Sequence, residues 1–571
     1  MSGGLYRSAH ARGEQPAALT QHQPDESVAE PPGTDPEPAT GAAGNSAVMA
    51  VGSLVSRGTG FLRTLALTAA LGTAVGDAYT TAQLFPGMVY ELLLGGVLSS
   101  VLIPVLVRRR THDPDAGQAY TQRLLTLATL ALGVATLLAV VAAPLLTMLY
   151  AGQGTSGDFR QLVTALSLLM LPMLFFTGLS ALTSAVLNTR GHFAAPMWTP
   201  ILNNLVVIAT AGLYIALFTA RRLEPGEMTA SRVLVLGGGT LLGVVVQAAG
   251  LLPALRRVGF RWRWRFDFGQ LDLRELGRLG AWMFCYVGVS QLALVVLIRL
   301  LNEASGRKSA GPLIYNNVYL LLMMAHGIIA VSVITALLPR MSAAAAEGRY
   351  ADVAADLSRG IRTVTAILAP VAVCYAVLAT PITVTLFRYG AFRADDARAT
   401  SVVLLVAAIA LVPFSVSQLF TFAYYALADT KTPALINIPV VVLRLAVQIA
   451  LVALVAASFA APGAMIGNAV SYVAAAAASA WLLRRRIGLI GLRGISLAFA
   501  KVAAAAAGAA AAGAIAVRLV PVGDPLSRWD ALLQLAAGGL VIGGSYLGLA
   551  VLFRIREVHQ VLSLVRRKLG R

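Results

Sequence analysis

The chain has 571 residues, of which 57% are hydrophobic and only 12% charged, with a formal net charge of +19. A soluble domain carries about 25% charged residues, and the mean hydropathy of +0.75 points the same way, so a soluble enzyme or binding module is excluded. Apolar blocks of about 20–28 residues match the helix length that crosses roughly 30 Å of hydrocarbon. The ten-residue alternation of a transmembrane barrel is lacking. The expected fold class is an all-α polytopic membrane protein.

In chain order, residues 1–45 come first. GEQPAALTQHQPDESVAEPPGTDPEPATGAAG is rich in Pro, Glu, Gly and Ala and has no apolar h-region, which fits a disordered cytoplasmic tail rather than a signal peptide. Predicted spans follow at 47–72, 80–107, 124–150, 161–187, 197–219 and 233–255, and after a basic loop at 277–301, 314–338, 362–387, 401–427, 434–457, 461–483, 495–519 and 530–553. That makes about fourteen transmembrane helices. Cys285 and Cys374 both fall in apolar spans, so neither a disulfide framework nor a cysteine metal site can be built from them.

Arginines set the orientation. Arg108, Arg109, Arg110 and Arg123 follow the second span, Arg256, Arg257, Arg261, Arg263 and Arg265 the sixth, and Arg340, Arg349 and Arg359 the eighth. Arg484, Arg485 and Arg486 follow the twelfth, and Arg566, Arg567 and Lys568 end the chain. Loops after odd-numbered spans are poorer in arginine, with Arg221, Arg222, Arg393 and Arg398 as exceptions. By the positive-inside rule both termini are expected in the cytoplasm. The net charge thus reads as topology, and nucleic acid is not an expected partner.

A weak internal repeat is present. LSSVLIPVL (98–106) resembles VITALLPRM (333–341), which sets Pro104 on Pro339. SAVLNTRGHF (184–193) resembles YYALADTKTP (425–434), which sets Asn188, Thr189 and Arg190 on Asp429, Thr430 and Lys431. Similar offsets after spans of like rank imply two parallel copies of about six helices, an arrangement in which transporters place the substrate between halves. The expected organisation is a tail (1–45), an N-terminal lobe of helices 1–6 (46–258), a basic-aromatic cytoplasmic loop (259–275), a C-terminal lobe of helices 7–12 (276–487), helices 13–14 (488–553) and an amphipathic cytoplasmic tail (554–571).

The residues that could carry chemistry are charges inside spans. Arg57 and Arg63 lie in the first span, where each costs roughly 2.5–3.5 kcal/mol at the membrane centre. Snorkelling or internal pairing accounts for either one alone. Together, around Gly58-Thr59-Gly60, they can face one cavity and meet an anion such as phosphate or pyrophosphate. Asp77, just beyond, reads as a loop carboxylate or a gating partner of an arginine, and Glu91 in the second span as paired, protonated or ion-coupled. Arg299 in the seventh span is a second-half candidate for the same cavity. The loop GFRWRWRFDFG (259–269) fits interfacial anchoring on anionic headgroups, and Val558, Leu562, Val565 and Leu569 beside Arg566, Arg567 and Lys568 an amphipathic surface helix. His326 reads as a packed, hydrogen-bonded residue. No catalytic triad, zinc pattern, Walker motif or cofactor signature occurs, so no enzyme, metal or cofactor is expected.

SRGTGFLR (56–63), Asp77, LFPGMVYELLLGGVLSSVLIPVL (84–106), HGIIAVSVITALLPRMS (326–342), LFRYGAF (386–392) and FAYYALADTKTP (422–433) together resemble the MurJ/MviN family of lipid II flippases, in their actinobacterial form. The resemblance implies the fold of the multidrug/oligosaccharidyl-lipid/polysaccharide exporter superfamily: two six-helix lobes plus two C-terminal helices that form a lipid-tail groove. It implies lipid II as substrate, Arg57 and Arg63 as its ligands, a bacterial plasma-membrane location and partners among membrane lipids and cell-wall or division proteins. Coupling to a monovalent ion or to membrane potential is left open. Two further cavity arginines of the family fall here on Tyr90 and Leu320, so Arg299 is a candidate replacement. The rival readings are a polysaccharide-lipid flippase or drug exporter of the same superfamily, and a non-transporting cell-wall scaffold.

Overall fold

The computed structural model describes residues 39–91, 106, 115, 117–152, 154–271, 273–306, 310–456, 459–488, 491–523 and 526–559, and only the backbone of 39–50, 273–286 and 492. The N-terminal tail through residue 38, Pro104, Arg108–Arg110, the side chain of Cys285 and the C-terminal residues Leu562 to Lys568 lie outside this description. The described residues from Val48 onward pack as one unit.

All regular structure among the described residues is helical: α1 Ala39–Tyr90, α2 Gln118–Val141, α3 Ala143–Ala151, α4 Gly157–Met170, α5 Met173–Thr189, α6 Ala194–Phe218, α7 Ala230–Arg257, α8 Leu273–Gly306, α9 Pro312–Ala346, α10 Tyr350–Val377, α11 Ala379–Phe387, α12 Ala394–Ala426, α13 Lys431–Leu454, α14 Ala460–Ile487, α15 Leu492–Leu519 and α16 Arg528–Leu552. Twelve stretches among the described residues are long and apolar enough to span a bilayer. They match the third to fourteenth predicted spans in order. The first two predicted spans fall on α1 and on residues beyond 91.

Three spans differ from expectation in continuity. The third breaks between α2 and α3 at Ala142, the fourth at Leu171-Pro172 and the ninth at Leu378. Pro144, Pro172 and Pro381 stand at or next to these breaks, where a missing N–H removes a helical bond. The loop expected at 73–79 is instead helix. Two helices meet within α1 at Gly72, whose φ of 66° turns the chain in a single residue.

Two of the repeat-bearing stretches, 184–193 and 425–434, make long-range contacts. After α5, Arg190 donates to the carbonyl of Val258 at 3.1 Å, just past α7. After α12, Asp429 pairs with Arg486 near the end of α14. Each links a helix–helix loop to a helix about sixty residues further on. Helices α15 and α16 pack on each other and against α10 and α11.

Candidate functional site

Helix α1 carries the expected cations and changes character along its length. Val51, Leu54, Val55 and Leu62 are exposed, whereas Leu67, Leu71, Val75, Tyr79, Ala82 and Phe85 are buried. Arg57 and Arg63 sit on the open stretch, with Arg57 exposed and Arg63 half-buried. They point to different neighbours. Arg57 lies against Gly327 of α9, where a Cβ would fall 1.8 Å from a guanidinium nitrogen. Arg63 reaches toward Asn204 of α6, with Nη1 3.5 Å from Oδ1, and its Nε is buried without an acceptor. Asn204 in turn donates to the Ser56 carbonyl at 3.2 Å and to Thr59 Oγ1 at 3.0 Å. Thr59 and Gly60 thus meet α6 at Asn204, and among the described residues no carboxylate pairs with either arginine.

Among the described residues Asp77 has no arginine partner. It is 1% exposed and accepts the Leu313 N–H at 2.8 Å and a short hydrogen bond from Ser305 Oγ. Leu313 belongs to the first turn of α9, so this α1 carboxylate caps a helix more than two hundred residues away, where the helix dipole favours negative charge. Gly311 makes the approach possible, because a Cβ there would stand 2.2 Å from Asp77 Oδ2. Thr68 with Asn317, and Thr81 with Asn302 at 3.1 Å, extend the contact along α1. The LFRYGAF stretch closes the same end. The Ala391 N–H donates to the Ala69 carbonyl at 2.8 Å, and Asp396 accepts from Thr73 Oγ1 at 3.1 Å and faces Arg222 at 3.7 Å. A cavity of about 680 Å³ remains there, lined by Thr73, Asp77, Arg222, Ser305, Arg393 and Asp396 among others.

Glu91 is exposed at the end of described α1. Arg299 pairs with Glu303 one turn on, at 3.5 Å, with side chains 42% and 34% exposed, and Glu303 packs on Gly152 at the end of α3. Among the described residues no contact joins Arg299 to Arg57 or Arg63. His326 is packed as expected, 2.9 Å from Ser415 Oγ and edge-on to Phe414. No metal-binding cluster occurs among the described residues. The basic-aromatic loop is strapped to α2. Arg123 pairs with Asp267 at 2.6 Å, and Gln122 donates to the Arg261 carbonyl at 2.7 Å, leaving Trp264 and Phe266 exposed. One cation of this kind is absent from the residues expected from sequence: Arg444, midway along α13. The insertion cost that marks Arg57 and Arg63 marks it equally.

The family model described as "Lipid II flippase MurJ" matches residues 67–523. The chain belongs to the MurJ lipid II flippase family. Among curated MurJ relatives, the lipid II flippase MurJ of Burkholderia cenocepacia is 28% identical over 406 residues, covering 68% of this chain and 74% of that protein. The probable lipid II flippase MurJ of Haemophilus influenzae is 27% identical over 454 residues, covering 76% and 84%. A solved structure titled "Lipid II flippase MurJ, inward closed conformation" superposes with a TM-score of 0.69 at 18% identity, covering 92% of this chain and 99% of that one. An inward-facing MATE-family multidrug transporter of the MOP superfamily superposes with a TM-score of 0.58 at 14% identity, covering 76% and 94%. The MurJ fold therefore carries the site, and the MATE fold is a more distant version of it.

Proposed function

We propose that this chain moves lipid II from the inner to the outer leaflet by alternating access. The observation that carries the reading is the pair Arg57 and Arg63, two guanidiniums within a membrane span with no carboxylate partner among the described residues. A cation held at that depth faces a hydrated interior and an anionic ligand. A pyrophosphate diester carries two negative charges, which two guanidiniums match in bidentate fashion. Family membership supplies the lipid-linked headgroup as that anion.

The rest of the site supports a cycle with an outer seal. By the arginine distribution, Asp77, Ser305, the start of α9 and the 386–396 turn lie on the outer side, and both termini lie in the cytoplasm. The exposed stretch 51–63 then belongs to the inner half, which corresponds to an inward-facing arrangement with Asp77 and Asp396 as seal residues. An apolar cavity of about 320 Å³ lined by Ala369, Val373, Val412, Phe499 and Val502 suits the polyprenyl tail beside the C-terminal helices. A drug-cation exporter would favour carboxylates at the position of Arg57 and Arg63.

The test is lipid II externalisation in cells depleted of the native flippase. The wild-type chain is expected to restore it and Arg63→Ala to fail, with Arg63→Lys intermediate. Failure of the wild type would overturn the reading, and full rescue by a charge-reversed Arg57/Arg63 pair would favour a scaffold. Arg299→Ala in the same assay tests whether that residue contributes to headgroup binding.

A further inference from the structure

Arg444 stands at the middle of α13, in the run INIPVVVLRLAVQIALVAL. Val441 and Gln448 on the same helix face are buried at 3% and 1% exposure, whereas Ile438, Val442 and Ile449 are 41%, 59% and 48% exposed. Positions 441, 444 and 448 follow helical spacing, so Arg444 is on the inward face and the lipid-facing stripe is apolar. Arg444 is half-buried and has no carboxylate partner among the described residues.

Its surroundings are polar and aromatic. Arg444 is close enough to Tyr315 and Tyr319 of α9 and to Tyr472 of α14 to act on each electrostatically. Tyr315 and Tyr319 stack with ring centres 6.1 Å apart. Asn468 donates its amide N–H to the Tyr315 hydroxyl oxygen at 2.9 Å, which leaves the phenolic proton free for another acceptor. Asn468 is itself fixed by Gln448, whose amide also donates to the Ala464 carbonyl at 3.2 Å. A guanidinium and an O–H donor, the latter held from behind by Asn468, are the components of an oxyanion site.

The position relative to the first-half arginines is also set. His326, Phe414 and Tyr472 form a continuous row of edge-on and tilted ring contacts, with centroids 4.5 Å and 4.8 Å apart. Arg57 lies at its His326 end, against Gly327, and Arg444 at its Tyr472 end. Gln448, one turn beyond Arg444 on α13, is joined through Asn468 to Tyr315, which stands twelve residues from Gly327 along α9, about 18 Å of helix rise. Arg444 therefore stands nearer the sealed end of the bundle than Arg57 does.

We propose that Arg444, with the Tyr315 hydroxyl, is a second-half subsite for an oxyanion of the lipid-linked headgroup. The proposal rests on the flippase reading above and extends it. Arg57 and Arg63 match the two charges of a pyrophosphate diester, and Arg444 takes a further anionic oxygen at a point closer to the exit. Two parts of the substrate offer that chemistry, the phosphates and the carboxylates of the peptide stem.

The experiment measures equilibrium binding of lipid II and of undecaprenyl pyrophosphate to the full chain in nanodiscs, for wild type, Arg444→Gln, Arg444→Lys, Tyr315→Phe and Arg63→Ala. Arg444→Gln is expected to weaken lipid II binding at least about tenfold and Tyr315→Phe by about threefold, in line with charged and neutral hydrogen bonds. Arg444→Lys should recover part of the loss, and the salt dependence of binding should flatten in Arg444→Gln, which a merely structural role would not produce. Loss for both ligands assigns the phosphates, and loss for lipid II alone assigns the stem carboxylates. Wild-type affinity in Arg444→Gln and Tyr315→Phe, with Arg63→Ala impaired, would overturn the subsite and leave the flippase reading standing. No binding of lipid II by the wild type would overturn both.

Discussion

Gly327 shows how a single missing methyl group can serve a charge. A Cβ at this position would fall 1.8 Å from a guanidinium nitrogen of Arg57, the far end of a flexible side chain. Gly327→Ala is therefore expected to displace Arg57 while the helix survives, since Ala is the better helix former by about 0.8–1 kcal/mol. Externalisation of lipid II should fall toward the Arg57→Ala level with no loss of thermal stability in detergent. Unchanged transport would mean that the placement of Arg57 is irrelevant. Asp267 offers a pH-dependent counterpart outside the membrane. Its hydrogen bond from Arg123 holds the carboxyl below the usual 3.8. A depressed folded value means the stabilisation is complete above the unfolded pKa and is lost as pH falls through the folded one. The 258–271 strap should accordingly loosen only below about pH 4, where hydrogen exchange of its amides rises, and Asp267→Asn should remove that acid dependence. The apolar–basic alternation of GFRWRWRFDFG made the loop legible as surface-seeking. Its docking on Gln122 and Arg123 was not legible, because the partners lie well over a hundred residues earlier.

Among elements, the contact between α1 and the turn that precedes α12 is the most constrained. Gly390 has φ of 56°, and a Cβ there would stand 2.3 Å from the Ala69 carbonyl oxygen. Both the left-handed backbone and the carbonyl oppose a side chain, and the obstacle is backbone that cannot swing aside. Gly390→Ala is expected to cost about 1–2 kcal/mol from the conformation alone, with the collision in addition. The measured signs would be a lower unfolding temperature and faster labelling of a cysteine placed at Thr73. The motif LFRYGAF was recognisable in sequence, but its role as a lid on the α1 kink was not, since neither Gly72 nor Gly390 carries a side chain whose pattern could reveal a partner. Helix breaks were legible only in part. Pro144, Pro172 and Pro381 mark the ruptures, yet similar prolines at Pro200, Pro339 and Pro413 sit within unbroken helices.

At the scale of the whole molecule, α1 is sealed against α8 and α9 from Leu67 onward and more exposed before it. If transport needs that seal to part, fixing it should stop the cycle. Thr73→Cys with Asp396→Cys, in a chain whose Cys285 and Cys374 are replaced by alanine, brings two thiols to side chains now in hydrogen-bond contact. A bifunctional thiol reagent is expected to abolish lipid II externalisation, and a cleavable linker to restore it on reduction. Continued export by the fully linked protein would contradict alternating access at this end.

The amino-acid sequence by itself determined the span order, the expected orientation and the presence of cations in the first span. Hydrophobic length and the cost of a buried charge are local properties, readable within some twenty residues. The tertiary structure alone decided that Arg57 turns to α9 and Arg63 to α6, and that Asp77 caps a helix more than two hundred residues away. It also decided that Arg299 is matched by Glu303, while Arg444 stands on an inward face among tyrosines. Which charges find partners depends on packing between helices, and packing between apolar surfaces leaves little periodic trace in sequence.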